Sequence, residues 1–356
     1  MFNTSGGSFS KAHIQGNIKT TTVGGCKIED KSFATISEEH KSTMANNTYQ
    51  NVANAIDQVA TETYDFNQLT NPIAINAPKG DWMFGDEAKN TEQYGGNQGR
   101  LSEEFDLYAN DPVIMEIINK YYPDADKEDL EFLFTKMDNV GCGYMAAVDT
   151  VFAEFANKSP EEFYKCFGFY PTTEKLNKKE NKKATFYNYD YLFLDFFLYC
   201  AKREGFTTIE EVYGNTDEVM KSKDISIEET GMDGTYENEV AMVFDDYLKE
   251  RNIELNVVTR EELTDNNQAL DSKTIDKLLT DGNKIVIGGD GFNLYEPSDI
   301  NNNGRLDDIA MEDIEPHTMY LVGTTGDPEK VVVSSWGNEY IMDIKDITDY
   351  VVYDYD

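Results

Sequence analysis

The sequence predicts an α+β domain in which a helical half packs on a largely antiparallel sheet. Between residue 101 and about residue 250, apolar residues recur at helical spacing, and beyond that point they follow the shorter period of strands. Helices that precede the strands, instead of alternating with them, are typical of an α+β architecture. We therefore expect one domain over residues 101–356, with its core at about residues 127–356.

Six helices and five strands follow from this periodicity. Helices are predicted within residues 105–123, 127–137, 142–157, 189–203, 234–253 and 272–282. Strands are predicted at residues 253–258, 284–289, 318–324, 330–336 and 339–344. The third helix has an apolar stripe from Met145 to Phe155, so we expect it to be the buried helix of the domain.

Residues 1 to about 100 have a different composition, rich in Ser, Thr, Asn, Gly and Lys. Their periodicity is weak except at residues 49–60, where a short helix is predicted. This composition is typical of a partly disordered leader, propeptide or linker. Gly24 and Gly25 resemble the end of a double-glycine export leader, but Lys19 and Thr22 stand where such leaders are apolar. A flexible glycine turn is the favoured interpretation.

The charge balance argues against two classes of partner. The chain has 67 Asp and Glu against 31 Lys and Arg, a formal charge of −36. Such a molecule is repelled by nucleic acid and by anionic membrane surfaces. The one basic run, Lys175 to Lys183, is interpreted as a solvated loop. Four cysteines in so long a chain predict neither a disulfide framework nor a zinc site, and no organic cofactor is indicated.

No export or membrane signal is expected from the sequence. The first residues have neither a basic nor an apolar block of the kind found in Sec signal peptides, and no apolar run reaches 18 residues. We therefore expect a protein without a membrane span that is cytoplasmic or is secreted by a route other than Sec.

Cys142 is the candidate nucleophile. It stands between two glycines at the predicted start of the buried helix. A helix N-terminus lowers the pKa of a thiol, and its exposed N–H groups can stabilise an oxyanion. A structural cysteine is the alternative at this position.

His317 is the candidate base. Of the three histidines, His13 and His40 lie in the polar leader, which leaves His317 as the one histidine of the predicted domain. It precedes the apolar strand at residues 318–324, where a side chain can face a cleft while the strand itself is buried. A structural histidine at a strand edge is the alternative.

Three segments together resemble papain-like cysteine peptidases, including bacterial leader-processing and staphopain-type enzymes. They are GCGYMAAV around Cys142, PHTMYLVG around His317 and VVVSSWGNEY around Trp336, and they occur in the order found in that superfamily. The resemblance covers about residues 127–356. It implies a papain-like fold, and a peptide or protein as the substrate.

The resemblance also assigns roles to individual residues. It implies that Cys142 is the nucleophile, that His317 is the general base, and that Trp336 shields the histidine from water. The Asn that orients the imidazole in the family is replaced here by Ser334. The oxyanion Gln of the family would fall on Lys136, so we expect Asn139 to donate in its place. Because of these two departures, a catalytically inactive homologue of the peptidases is an alternative interpretation.

A calcium loop is predicted shortly before His317. Residues 299–307 follow the spacing of an EF-hand loop, although the twelfth position is Ala310 rather than Glu. An Asx-rich turn without metal is an equal alternative. A bound Ca²⁺ would brace the strand that carries the base, and its low affinity would suit an extracellular setting. The candidate ligands are Asp299, Asn301, Asn303, Arg305 and Asp307.

The sequence therefore predicts a cysteine peptidase, and it leaves two other functions open. A papain-like fold also supports amidases and acyltransferases, as in toxins or effectors, which transfer the acyl group to an amine. The second alternative is a catalytically dead, calcium-dependent binding module. In the peptidase interpretation, the N-terminal segment would act as an autoinhibitory propeptide.

Overall fold

The computed structural model describes two short strands near the N-terminus and most of the chain from Tyr94 onward. The described ranges are residues 20–23, 26–29, 94–155, 158–177, 182–214, 232, 237–260, 270–295, 309–325 and 327–355. The helix predicted at residues 49–60 and the calcium loop at residues 299–307 lie outside these ranges.

Ten helices belong to the described residues. They are α1 Arg100–Glu103, α2 Phe105–Tyr108, α3 Pro112–Tyr121, α4 Lys127–Val140, α5 Cys142–Phe155, α6 Pro160–Phe167, α7 Tyr189–Glu204, α8 Ile209–Tyr213, α9 Glu237–Lys249 and α10 Ser272–Thr280.

Twelve strands are described. They are β1 Thr20–Val23, β2 Cys26–Glu29, β3 Thr172–Asn177, β4 Lys182–Tyr187, β5 Leu255–Thr259, β6 Lys284–Gly289, β7 Phe292–Tyr295, β8 Ile309–Ile314, β9 His317–Thr324, β10 Lys330–Ser335, β11 Asn338–Asp343 and β12 Ile347–Tyr355.

The main sheet has eight strands in the order β5-β12-β6-β9-β10-β11-β7-β8. Every neighbouring pair in it is antiparallel. Because helices come first along the chain and the antiparallel sheet follows, the predicted α+β class is confirmed. The strand β12, which the sequence analysis did not predict, lies between β5 and β6 in this sheet.

Helices cover both faces of the sheet. The helices α5 and α9 pack on one face, which we call the helical-layer face, and α10 packs on the other, which we call the α10 face. Strand β9 lies between the two layers, and all its residues are buried. Successive side chains of a strand point to opposite faces, so Tyr320 and Val322 join the larger core with α5 and α7, whereas Met319 and Leu321 join the smaller core with α10.

The buried helix α5 is fixed by local sequence signals and by aromatic packing. Helix α4 begins at the cap residue Asp126 and ends at Gly141, and α5 starts at the next residue. A side chain at position 141 would lie 2.3 Å from the carbonyl oxygen of Met137 and 2.5 Å from the Phe193 ring, so only glycine fits between the helices. The ring of Phe152, near the end of α5, packs on Tyr189 of α7 at a centroid distance of 4.1 Å.

Two pairs of short strands, β3–β4 and β1–β2, lie in segments that the sequence analysis interpreted as polar and irregular. The basic run Lys175–Lys183 was predicted to be a solvated loop, but both its ends belong to the paired strands β3 and β4, and the residues between them lie outside the described ranges. Thr172 and Thr173 at the start of β3 and Thr185, Phe186 and Tyr187 at the end of β4 are residue types that favour strands. Near the N-terminus, β1 and β2 are antiparallel, with Val23 opposite Cys26. Gly24 and Gly25, interpreted above as a flexible turn, lie outside the described ranges.

The folded domain begins earlier than residue 101. Residues 94–100 are buried, and the backbone N–H of Tyr94 donates a 2.7 Å hydrogen bond to the carbonyl of Gly337. The polar leader therefore ends in residues that belong to the domain. No helix within the described ranges is long and apolar enough to cross a membrane.

Candidate active site

His317 is held by two side chains of the β10–β11 hairpin. Its Nε2 atom lies 2.7 Å from Oγ of Ser335 in a buried hydrogen bond. The indole of Trp336 stacks on the imidazole with ring centroids 4.1 Å apart and planes 7° apart. The residues that follow β10, Trp336 and Gly337, both have positive φ, of 46° and 73°. This backbone makes a tight turn between the paired residues Ser335 and Asn338, and the turn carries the indole over the histidine.

Ser334 does not take the place beside the imidazole that the resemblance gave it. Its hydroxyl donates to the carbonyl of Tyr94 at 2.9 Å and lies 3.4 Å from Oδ2 of Asp149 on α5. The reason is the alternation of side chains along a strand, which sends neighbouring residues to opposite faces. Ser335 therefore shares the α10 face with His317, and Ser334 points into the helical layer.

Cys142 is the first residue of α5, as predicted. It is partly exposed, and it carries a thiol rather than a disulfide. The first N–H groups of a helix point out of its N-terminal end, and the Cys142 thiol lies at this end of α5. This arrangement is suited to an oxyanion, because the N-terminus also carries the positive end of the helix dipole.

Cys142 and His317 lie at the same end of the α5–β9 layer. Asp149 of α5 contacts Ser334, which pairs with Tyr320 of β9. Cys142 is seven residues before Asp149, an axial rise of about 10 Å. His317 is three residues before Tyr320, also about 10 Å along a strand.

The helix and the strand run in the same direction. Toward the end of α5, Glu154 binds Nζ of Lys284 at 3.1 Å, and the next residue of that strand, Ile285, pairs with Leu321 later in β9. The start of α5 and the start of β9 therefore point to the same end of the layer. The two candidate groups approach this end from different faces, since α5 lies on the helical-layer face and His317 belongs to the α10 face.

Burial sets the protonation state of His317. The side chain is 9% exposed, and desolvation lowers the pKa of its imidazole from 6.5 to about 4. The ring is therefore neutral at pH 7. When Nε2–H donates to Oγ of Ser335, Nδ1 is the unprotonated nitrogen, and it can accept a proton from a nucleophile.

The predicted oxyanion donor, Asn139, is exposed near the end of α4, and Lys136 is buried there. A different amide lies in this region. The side chain of Gln98 is 9% exposed, and its Nε2 donates to the carbonyl of Asp138, four residues before Cys142. A carboxamide is an N–H donor of the kind that can stabilise an oxyanion.

The sequence analysis assigned residues 94–100 to the leader, and it therefore missed Gln98 and the contacts of Tyr94 and Gly96. The available signal was local. The run Tyr94-Gly-Gly-Asn-Gln-Gly is rich in glycine directly before the first predicted helix, and such glycines often permit a close backbone approach.

No group of His, Cys, Asp and Glu within the described residues could hold a metal ion. The five candidate calcium ligands at residues 299–307 lie outside those residues, so the calcium loop remains a prediction.

The fold and the histidine cluster define an α+β protein with a candidate nucleophile–base site at one end of its sheet. No protein-family model, curated protein or solved structure matches the chain. The function is therefore inferred from the chemistry of the site itself.

Proposed function

We propose that this protein is a papain-like cysteine peptidase, with Cys142 as the nucleophile and His317 as the general base. The observation that carries the proposal is the fixed imidazole. Ser335 orients the ring and Trp336 covers it, and the candidate thiol is the first residue of the buried helix α5. A base oriented by a third group and placed near a nucleophile is the general requirement for covalent acyl transfer.

The Cys142 thiol and the His317 imidazole approach from different faces of the sheet. The reaction therefore requires them to make contact past the end of the sheet at which β9 begins. Cys142 transfers its proton to Nδ1 of His317 while its sulfur bonds to the substrate carbonyl carbon. The tetrahedral oxyanion accepts hydrogen bonds from the backbone N–H groups at the start of α5. The C–N bond then breaks, and the imidazolium gives its proton to the leaving amine. Water, deprotonated by the same ring, hydrolyses the thioester and regenerates the thiol.

Ser335 and Gln98 take the supporting roles in this proposal. Ser335 replaces Ser334 as the group that fixes the tautomer and orientation of His317. Gln98 replaces Asn139 as the side-chain donor to the oxyanion, because it is buried beside the start of α5 whereas Asn139 is exposed. Trp336 limits the access of water to the His317–Ser335 hydrogen bond.

One contact favours a second candidate function. The 2.7 Å approach of Oγ of Ser335 to Nε2 of His317 is also the geometry of a serine nucleophile and its base. Ser335 is only 6% exposed, so a substrate would reach it less readily than the partly exposed Cys142. We therefore prefer the cysteine mechanism.

Selective labelling and turnover separate these functions. The protein is assayed on a mixed peptide library, with Cys142→Ala and the matched control Cys166→Ala, which removes another partly exposed thiol. The cysteine peptidase proposal predicts hydrolysis that is lost in the first variant and kept in the second. Labelling of Ser335 by a fluorophosphonate, with hydrolysis retained in Cys142→Ala, would instead establish the serine mechanism.

The fate of the acyl group distinguishes a peptidase from an acyltransferase. Product masses are measured with and without an added primary amine. Free carboxylates in both reactions support hydrolysis, whereas amide products formed only with the amine support transfer. Absence of turnover and of thiol labelling in buffer with reductant and Ca²⁺ would leave the binding module as the better explanation.

A further inference from the structure

The segment Tyr94–Gly99, which we call the strap, bridges the two sides of the candidate site. On one side it pairs with the hairpin turn that carries Trp336. The N–H of Tyr94 donates to the carbonyl of Gly337 at 2.7 Å, and the N–H of Gly337 donates to the carbonyl of Gly96 at 2.8 Å. These two bonds fix the turn from which the indole reaches His317.

On the other side the strap is bonded to the helices that frame Cys142. The N–H of Gly96 donates to Oδ1 of Asp149 on α5 at 2.8 Å, and the side chain of Gln98 donates to the last turn of α4. Ser334 completes the link, since its hydroxyl contacts both the strap carbonyl of Tyr94 and Oδ2 of Asp149.

The strap passes close to Ser334 and to α5 at two glycines, Gly95 and Gly96. A Cβ atom at Gly95 would lie 2.0 Å from Oγ of Ser334, and one at Gly96 would lie 2.0 Å from the sulfur of Met145 on α5. Real Cβ atoms do not approach other atoms this closely. A Cβ at Gly95, where φ is +74°, would therefore displace the Ser334 hydroxyl, and a Cβ at Gly96 would displace the end of the Met145 side chain.

We propose that the strap is a positioning element of the candidate site, and that Asp149 and Ser334 are the positioning residues that hold it. The inference rests on the proposed function for its kinetic effect and on the fold alone for its structural effect. Asp149 and Ser334 act through the strap and the hairpin turn, which place Trp336 and Ser335 around His317. Loss of the strap would leave the turn without two backbone partners and would misplace the imidazole.

The protonated form of Asp149 suits this role. Burial raises the pKa of its carboxyl to about 8, so the neutral acid predominates at pH 7. Its Oδ1 accepts from the N–H of Gly96, and its Oδ2 lies 3.4 Å from the hydroxyl of Ser334. The titratable groups that interact with Asp149 are Tyr189 of α7 and Tyr320 of β9, and Tyr94 of the strap interacts with both tyrosines. Burial raises the pKa of all three. None of these tyrosines ionises near neutral pH.

The test follows the emission of Trp336 and the turnover of a peptide substrate in the full-length chain. Trp82→Phe provides a background in which Trp336 is the one tryptophan, since the sequence has two. In this background Asp149→Asn, Asp149→Ala, Ser334→Ala and Gly95→Ala are compared. Gly168→Ala is the control for Gly95→Ala, because both glycines have positive φ but a Cβ at Gly168 meets nothing within 4 Å.

We expect Gly95→Ala, Asp149→Ala and Ser334→Ala to shift the emission of Trp336 to the red and to lower kcat about 10- to 100-fold, with KM little changed. Asp149→Asn keeps one acceptor and one donor in its amide. Its Trp336 emission and kcat should therefore be close to those of the parent, unlike those of Asp149→Ala. In the parent protein, the emission of Trp336 should shift to the red and kcat should fall as the pH rises through about 8. In Asp149→Asn neither change should occur over this pH range. Gly168→Ala should behave as the parent.

Unchanged Trp336 emission in both Ser334→Ala and Gly95→Ala would overturn the inference, as would an equal effect of Gly168→Ala and Gly95→Ala. If a variant fails to fold, Asp149→Asn still tests the inference through the pH profile of the emission. Failure of the proposed function is distinguishable, because a protein without turnover can still show the expected changes in emission.

Discussion

The indole of Trp336 lies parallel to the imidazole of His317, 4.1 Å away, and it closes one side of a ring that is also hydrogen-bonded by Ser335. Water is thereby kept from the one histidine of the described residues. The same burial makes the neutral form of His317 the stable one. The titration of this ring is therefore the most accessible signature of the site.

Removal of the indole should raise the pKa of His317. In Trp336→Ala the ring gains access to water, so its pKa should move from about 4 toward the ordinary value of 6.5. Trp336→Phe keeps an aromatic cover and should shift it less. The measurement is the pH titration of the imidazole protons by NMR, with His13→Gln and His40→Gln in the background. A pKa that is the same in Trp336→Ala and the parent would contradict the shielding role.

The acid limb of activity should report the same group. If neutral His317 is the base, kcat/KM should be maintained as pH falls through 6 and should decline near the pKa of the ring, about 4. Trp336→Ala should move this limb to higher pH. An acid limb that stays in place in the variant would assign it to a different group.

Ser335 should affect catalysis through the orientation of His317. Loss of its hydroxyl leaves the buried Nε2 without its hydrogen-bond partner, and we expect Ser335→Ala to lower kcat about 10- to 100-fold with little change in KM. Ser335→Thr keeps the hydroxyl and serves as the matched variant. Full activity in Ser335→Ala would remove this residue from the site.

His317 and Asp149 should make opposite contributions to the pH dependence of stability. For His317 the folded pKa lies below the unfolded one, so the unfolded state binds more protons between pH 4 and 6.5, and stability is lost as pH falls through that range. For Asp149 the folded pKa lies above the unfolded one, so the folded state keeps its proton longer. Its contribution is present at low pH and is lost as pH rises from about 4 to about 8.

Urea unfolding at several pH values measures these contributions. The difference in unfolding free energy between the parent and His317→Gln should increase by about 1.4 kcal/mol per pH unit from pH 4 to 6.5 and then level off. The difference between Asp149→Asn and the parent should increase by a similar amount per unit up to about pH 8. Differences in unfolding free energy that do not change with pH would contradict the pKa shifts of His317 and Asp149.

A buried ion-pair network should dominate the charge contributions to stability in the helical half. Asp195 of α7 is 4% exposed and binds Lys120 and Arg251, each at 2.7 Å. Since Asp195→Ala leaves the largely buried Arg251 unpaired, we expect a loss of about 3–5 kcal/mol. The control is Asp246→Ala, which removes a carboxylate that is 42% exposed, and exposed pairs contribute about 0–1 kcal/mol. Equal losses in urea unfolding would contradict the distinction.

The sequence predicted the helical half and the central strands because each has a strong local period. Strand β6 was predicted with its observed bounds, and β9 and β10 within one residue. Strand β12 was missed although it lies inside the sheet. Its sequence, ITDYVVYDY, has the strand-disfavouring residues Asp349 and Asp354 near its ends. Its burial depends on pairing with β5 and β6, which no local pattern records.

The candidate site was predictable where it depends on one element, and it was missed where it depends on contacts between elements. The helix start at Cys142 and the strand start at His317 follow from periodicity. The choice between Ser334 and Ser335 depends on which face of β10 meets the histidine, and the strap depends on glycines that contact α5 and a hairpin turn more than 200 residues later in the chain. Neither relationship is encoded locally.

The most direct test of the nucleophile and base is the rate at which a peptidyl chloromethyl ketone alkylates each cysteine, measured by peptide mass mapping. The predicted result is that Cys142 is alkylated at least about tenfold faster than Cys166, and that His317→Ala removes this difference. Equal rates at the two cysteines, or a fast Cys142 that is unaffected by His317→Ala, would contradict the proposed dyad.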